Sequence, residues 1–424
     1  MDKNRRKIII SWCLYDWANS AFATTVMAAV LPVYYSSVAA ADLSRTQASS
    51  YWGYTNTAAM LIVALLAPVF GAMADHGGRK KVFLAAFAML GIFSSAALYR
   101  VEAGEWRWAS MFYVLGMIGF SVGNNFYDSL LPHISSIESI DRISTYGYAM
   151  GYLGGGLLLA LNLGMIMNPG LVGLPNAEEA ARGSFLTVAL WWAIFAVPLF
   201  RYVPEPPVRK IPGESPNPFR ASFQRLYLTL SNLRQHREAF KFLIAFWLYN
   251  DGIGTIISMA VIFGAEIQIA QEHLIGAILL VQFIGIPCSL FFGYLSGIIG
   301  TRTAILFGLG VYTGIAVGGY FLRTALHFWI LAILVGLVQG GTQALSRSLF
   351  GSLIPRERSA EFFSFYDVSS KIAGILGPFV FGLVGQITGS SRFSIVALVL
   401  FFLSGGAVLL RVKLPEKEMA LRSN

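Results

Sequence analysis

Gly71-Ala72-Met73-Ala74-Asp75-His76-Gly77-Gly78-Arg79-Lys80-Lys81 lies where one apolar stretch, 50–74, gives way to another, 82–100. Each stretch is long enough to cross a hydrocarbon core, which takes about 20 apolar residues in a helix. Gly71 and Gly78 have no Cβ, so they let backbones approach and the loop turn tightly. Three cations in a row follow. An apolar span, a tight turn, a cationic cluster and a second apolar span describe a chain threaded more than once through a membrane.

The rest of the sequence agrees. Of 424 residues, 56% are apolar and only 12% charged, about half the charged share of a soluble domain; mean hydropathy is +0.63. A soluble protein of this length needs a polar surface that this composition does not supply, and disorder is excluded on the same grounds. The apolar pattern gives twelve stretches, at about 8–38, 50–74, 82–100, 108–132, 145–167, 184–202, 241–264, 274–298, 303–322, 328–352, 362–387 and 393–411. The first follows a basic start but is too long for a signal peptide. Asp16 and Asn19 interrupt it, so no cleavage after Ala41 is expected. The expected fold is therefore all-α and integral to the membrane, with twelve transmembrane helices.

An even number of spans puts both termini on one side, and basic loop residues mark the cytoplasm. With cytoplasmic termini, 24 of the 31 Lys and Arg fall inside, six outside, and Lys371 within a span. The bias also accounts for the net charge of +9 without invoking nucleic acid. The expected location is the inner membrane of the cell. Cys13 and Cys288 lie far apart in apolar runs, and the five histidines have no zinc spacing, so no metal is expected. There is no G-x4-G-K-[ST] loop for ATP and no nucleophile–base set, so an enzyme is not expected.

Segment 203–240 differs from the rest. Six prolines between Pro204 and Pro218 make an extended linker. Phe219, Phe223, Leu226, Leu230 and Leu233 then recur at helical spacing among arginines. Two readings stand: an amphipathic helix on the inner leaflet, or a connector beneath the two halves. The domain division expected is 1–202, a first six-helix bundle; 203–240, a cytoplasmic linker; and 241–424, a second bundle.

The two bundles echo each other. Leu14-Tyr15-Asp16 matches Leu248-Tyr249-Asn250, and Gly71-x3-Asp75-x2-Gly78 matches Gly293-x3-Gly297-x2-Gly300. Phe126 through Pro132 matches Leu349 through Pro355, and Ser144-x-Tyr146 matches Ser364-x-Tyr366. The offsets, 234, 222, 223 and 220, are nearly constant. Four matches in one order indicate six plus six helices in parallel repeat, an arrangement whose transporters place substrate near the midplane and rock around it.

The loop Gly71-x3-Asp75-x2-Gly78-Arg79-Lys80-Lys81 resembles the signature loop of the major facilitator superfamily. Further stretches resemble its vacuolar amino-acid effluxer branch and that branch's bacterial relatives. They are Tyr15 through Phe22, Asn125-Phe126-Tyr127, Tyr249-Asn250-Asp251-Gly252, Gly340 through Ser348, Glu361-Phe362-Phe363 and Lys371. The resemblance implies a secondary transporter, in which spans 1, 4, 7 and 10 line a central cavity, working as a monomer. It also implies that Gly71, Asp75, Gly78 and Arg79 form a cytoplasmic gate, Asp75 meeting the start of span 11; the plain alternative is a turn with a cationic cluster. Span 4 has no arginine after Arg107, which sets the chain apart from the superfamily's proton-coupled drug antiporters.

Charges inside spans cost roughly 2.5–3.5 kcal/mol or more, so the few present are candidates. Asp16 and Asp251 lie about ten residues from the cytoplasmic side, some 15 Å deep at about 1.5 Å per residue. Lys371 is at similar depth; Asp128 and Arg347 are nearer the ends of spans 4 and 10. Carboxylates at 16 or 251 suit an ammonium group or a coupling proton, and Arg347 or Lys371 a carboxylate. Asn19, Asn124, Asn125, Asn250 and Gln343 add neutral donors and acceptors. Together they suit a small zwitterion. Structural readings stand beside these: an Asp367–Lys371 pair at i, i+4, Asp128 bracing the loop after Pro132, and Arg347 reaching for the inner surface. Glycines at 147, 151, 154, 155 and 156, and at 374, 377 and 382, give small faces for close helix packing.

The function expected is proton-driven secondary transport by alternating access, exporting amino acids or similar zwitterions, with the ion gradient as energy source and no cofactor. The rivals are export of drugs or other organic solutes, and a receptor or scaffold on the same fold. The expected partners are a small-molecule substrate and the lipid bilayer.

Overall fold

The computed structural model describes residues 3–207, 217, 220, 223, 224, 227 and 236–414, without the side chains of 45, 46, 49, 50, 258, 261, 262, 265, 271, 272, 275, 371–375, 378 and 382. Most of the proposed amphipathic segment, including Phe219, Leu226, Leu230 and Leu233, lies outside the described residues.

Helices make up the described chain, and no strand occurs among the described residues. In order they are α1 (Lys3–Ala39), α2 (Arg45–Gly77), α3 (Lys80–Leu98), α4 (Trp106–Ile134), α5 (Ile140–Met167), α6 (Ala177–Tyr202), α7 (Arg237–Glu266), α8 (Gln271–Ile299), α9 (Thr301–Tyr320), α10 (Ala325–Leu353), α11 (Ser359–Thr388) and α12 (Ser391–Leu410). In a membrane every backbone polar group must find its partner within the segment, and a helix does this locally. Among the described residues nine helices are long and apolar enough to cross a membrane. Three others of similar length, α4, α7 and α11, are not among the nine. Asn124 and Asn125 dilute the apolar run of α4, Asn250 and Asp251 that of α7, and part of α11 lacks described side chains.

Local chemistry sets the ends. Ser44 and Gln47 form a reciprocal capping box at the start of α2, satisfying two orphan donors at once. Asn176 caps α6 through the Glu179 N–H, and Thr324 caps α10 through His327. Gly78 ends α2 at φ 58°, a left-handed conformation that costs a residue with a Cβ roughly 1–2 kcal/mol. Helix α1 widens to π-helical winding at Phe22–Ala29 and Tyr35–Ala39. The sequence pattern did not foretell this; such stretches are frequent at functional sites.

The chain divides into two compact units that do not follow chain order. Unit 1 is residues 1–130 and 150–224; unit 2 is 131–149 and 225–424. The end of α4 and the first turns of α5 thus belong with unit 2. In unit 1, α1 packs on α6, and α6 on α3. Gly151, Gly154 and Gly155 of α5 face α1, where a Cβ on Gly154 or Gly155 would fall within 3 Å of α1 backbone. In unit 2, α10 packs on α8 and α9, and α7 on α11 and α12, around an aromatic core of Phe246, Tyr249, Phe350 and Tyr366.

Candidate functional site

In unit 1 the polar candidates of α1 and α4 meet. The Tyr127 hydroxyl donates to Asp16 Oδ2 at 2.8 Å, and Asn19 Nδ2 donates to Asn124 Oδ1 at 2.5 Å. Trp12 stacks on Tyr127, ring centroids 4.4 Å apart, and its indole N–H donates to the Tyr127 carbonyl. These aromatic contacts fix the ring that holds Asp16. Asn125 is buried one residue on, with no partner for its Nδ2 among the described residues. Asp128 is half-buried one turn below Asn124.

The loop after α2 turns two of its three cations inward. Asp75 is 3% exposed, and its Oδ1 lies 2.9 Å from the Lys80 ammonium, itself buried. Lys81 Nζ donates to the carbonyls of Phe200 and Val203 at the end of α6, a favourable place for a cation. Its backbone N–H donates to the Glu205 carboxylate, whose pKa burial raises against the opposing pull of that hydrogen bond. Of the three cations only Arg79 points outward. Gly71 is buried, and Gly78 makes the turn.

In unit 2 the candidates separate into two places. Asp251 of α7 is 1% exposed. Its Oδ1 accepts from the Gly377 backbone N–H of α11 at 2.9 Å, and its Oδ2 has no partner among the described residues. A Cβ at residue 377 would fall 2.7 Å from Oδ1, so only glycine lets the two helices close on the carboxylate. Next to it, Asn250 Nδ2 donates to Ser370 Oγ at 3.3 Å. Lys371 lies on α11 with its side chain outside the described residues.

Arg347 of α10 is the second place, and it does not reach for the surface. It is 3% exposed. Its Nε donates to Ser144 Oγ and its Nη2 to the Ser144 carbonyl, each at 2.9 Å. Its guanidinium lies 4.4 Å from the centre of the Tyr148 ring, a cation–π distance. One turn away, the hydroxyls of Ser348 and Thr301 donate to the two Asp141 oxygens at 2.6 and 2.5 Å. Gln343 is half-buried on the same helix, and Tyr249 and Ser346 share a 2.6 Å hydrogen bond.

Sequence reasoning missed Tyr127, Asp141, Ser144, Tyr148 and Gly377 as partners. Tyr127 and Ser144 stood in quoted motifs without a role, and Gly377 was read only as packing. No group of three or more metal-ligating side chains occurs among the described residues.

Buried carboxylates, a buried guanidinium and glycine-faced contacts stand on an all-helical scaffold with nine membrane-length apolar helices among the described residues. Solved structures agree on the fold. The proton:xylose symporter XylE superposes with TM-score 0.71 over 98% of both chains at 14% identity. The E. coli fucose:proton symporter FucP gives 0.74 over 97% of this chain and 98% of that one, at 11% identity. Residues 4–420 match the family model described as vacuole effluxer Atg22 like. The MFS-type transporter YxiO of Bacillus subtilis is 36% identical over 94% of this chain and 93% of its own. Autophagy-related protein 22 of Pichia angusta is 25% identical over 84% of this chain and 73% of that one. The chain belongs to the Atg22-like effluxer family; it is a multi-pass membrane transporter and not an enzyme.

Proposed function

We propose that the protein is a proton-driven exporter of amino acids or similar small zwitterions. In this reading it has twelve spans in two parallel six-helix repeats, both termini cytoplasmic, in the inner membrane, and it works by alternating access. The observation that carries the proposal is Asp251. A carboxylate buried in mid-span, held by one backbone N–H and with its second oxygen unsatisfied among the described residues, is expensive to keep charged and empty. It gains most from a proton or a substrate ammonium. Asp16 is the carboxylate of the first half at similar depth, with Tyr127 as its fixed donor. A substrate carboxylate would meet Arg347, displacing Ser144 from the guanidinium, or Lys371. Asn19, Asn124, Asn125, Asn250 and Gln343 would orient the remainder. Asp128, half-buried one turn below Asn124, would join Asp16 as a second acid of the first half, or brace the loop after Pro132. Gly71, Asp75, Gly78 and Arg79 act as the cytoplasmic gate. The word effluxer in the family's description supports the outward direction.

The test is a thermal-shift screen of the purified protein against all amino acids and a metabolite library. A ligand at a hundredfold excess over its Kd stabilises the folded state by about 2.7 kcal/mol. A selective amino-acid hit that disappears in Asp251→Asn supports the reading, and uptake into proteoliposomes under a pH gradient then reads the coupling. If another chemical class shifts the protein while every amino acid is silent, the substrate assignment is wrong.

A further inference from the structure

We propose that Gly374 and Pro378 of α11 are positioning residues for a proton on Asp251: the Gly374 carbonyl accepts the acid's O–H while the Gly377 N–H donates to its other oxygen. The inference rests on the reading of Asp251 as the proton-binding carboxylate and says what holds the proton there.

Ser370, Gly374 and Gly377 recur at i, i+4 and i+7, so they share one face of α11. Helix α7 meets that face at both ends: Asn250 Nδ2 donates to Ser370 Oγ, and the Gly377 N–H donates to Asp251 Oδ1 at 2.9 Å. Gly374 stands between the two contacts. A helical carbonyl points along the axis at the N–H four residues on. For Gly374 that residue is Pro378, and proline has no N–H. The break leaves an acceptor without its helical donor, aimed toward the level of Gly377 and Asp251. Within a membrane such a group is satisfied by a neighbouring helix, a hydroxyl or a bound water. The neighbouring helix is α7, and at this level it presents Asp251 Oδ2, which has no partner among the described residues. The hydroxyl one turn on, Thr255, donates to the Asp251 carbonyl at 2.7 Å.

An ionised carboxylate oxygen and a carbonyl are both acceptors and have no hydrogen bond to make. A neutral carboxylic acid accepts at one oxygen and donates from the other, which matches an N–H and a carbonyl on one helix face. Acidic and basic side chains on the helices packed around Asp251 lie elsewhere. Those of α7 itself and of α11 are ten or more residues from the contact, except Lys371, six residues before Gly377 and with its side chain outside the described residues. Arg347 of α10 is engaged by Ser144 and Tyr148, and the Tyr249 hydroxyl is turned to Ser346. Otherwise α8, α9, α10 and α12 carry such groups only in their first turns. The proton itself is what joins α7 to the broken turn of α11, taken from water in one arm of the cycle and returned to it in the other.

Infrared difference spectroscopy of the purified full chain, between neutral and mildly acidic buffer, tests the proposal. A protonated carboxyl has its own C=O stretch, and the part lost in Asp251→Asn belongs to Asp251. In Pro378→Ala the new N–H takes the Gly374 carbonyl, so that stretch should move to higher frequency or disappear. Proton-driven flux in proteoliposomes should fall about tenfold, what one ordinary hydrogen bond is worth, with the substrate-induced thermal shift unchanged. Pro378→Gly restores the same N–H in a more pliant helix and should repeat the result, so the outcome does not hang on one variant folding. Pro287→Ala is the control: it mends a proline break in α8, a helix with no acid beyond its first turn, and should leave stretch and flux as in the parent. A stretch that Asp251→Asn removes but neither Pro378 variant moves would overturn the Gly374 contact and leave the proton on Asp251. Absence of any stretch that Asp251→Asn removes would overturn the proton reading of Asp251, and this inference with it.

Discussion

Each unit buries a carboxylate, and the two are treated in opposite ways. In unit 1, Asp75 at 3% exposure has a buried ammonium, Lys80, at 2.9 Å. In unit 2, Asp251 at 1% exposure has one backbone N–H and an oxygen with no partner among the described residues. Burial is the same; neutralisation is not. A paired charge is a fixture, since removing either member strands the other. A carboxylate with no cation beside it among the described residues has room for a change of state, by taking up a proton or a cationic group. Burial alone therefore does not separate a structural acid from a working one; what the second oxygen meets does.

The sharpest test removes a partner. Lys80→Met leaves Asp75 buried without its cation, and breaking a buried pair this way typically costs about 3–5 kcal/mol. The expected result is a large loss of thermal stability, mostly recovered when Asp75→Leu is added. Asp251→Asn should lose less than about 1 kcal/mol in the same melts, because the amide oxygen still accepts from Gly377 N–H. Equal losses in the two single variants would break the contrast.

The next test asks whether the close approach around Asp251 is as demanding as it looks. Gly377→Ala places a methyl 2.7 Å from Asp251 Oδ1 and 3.0 Å from its backbone oxygen. Overpacking of this kind costs roughly 1–3 kcal/mol. Gly154→Ala in unit 1 should behave alike, since its Cβ would press on the backbone of Trp17. Trp17 stands one residue after Asp16, as Asp251 stands one residue after Asn250. Gly254→Ala, with nothing within 4 Å, should be silent. In both units a glycine thus closes on a facing helix, against Trp17 in one and Asp251 in the other.

How much of this was legible follows from range. The helical, membrane-spanning class and the intramembrane carboxylates come from local composition, which a single sequence displays directly. The loop of Gly71–Lys81 was legible as a turn with cations, but not the inward rotation of Lys80 and Lys81, because their partners lie partly on another helix: the Phe200 carbonyl is 119 residues from Lys81. Arg347 shows the same limit. Its charge inside a span marked it as notable, yet Ser144 is 203 residues away, and only packing reveals that the guanidinium is already occupied. Gly377 was legible as a small residue; that its N–H reaches a carboxylate depends on how closely α7 and α11 meet.

Flux separates the two acids where stability does not. In proteoliposomes, Asp251→Asn should reduce gradient-driven transport of the identified substrate at least tenfold, equivalent to about 1.4 kcal/mol, while binding-independent stability stays near that of the parent. Asp75→Asn should slow cycling and leave substrate binding in place. If Asp75→Asn abolishes binding while Asp251→Asn carries normal flux, the roles assigned to the two carboxylates are reversed.

The smallest expected effect concerns Asp16, which stands between the two extremes: it is half-buried and accepts a hydrogen bond from a neutral donor, the Tyr127 hydroxyl, at 2.8 Å. Tyr127→Phe removes that donor and keeps the ring that stacks on Trp12. Because Asp16 is not fully withdrawn from solvent, water can replace part of the lost bond, and the loss should be about 1 kcal/mol, near the middle of the range for an ordinary hydrogen bond. The informative comparison is with Asp16→Asn, which retains an acceptor for the tyrosine. If Tyr127 only braces the helices, the two variants should melt within a few tenths of a kcal/mol of each other and transport alike. If Asp16 takes part in transport, Asp16→Asn should lose flux while Tyr127→Phe keeps most of it. Parental flux in Asp16→Asn would place Asp16 with Asp75 among the fixtures, leaving Asp251 as the carboxylate that changes state.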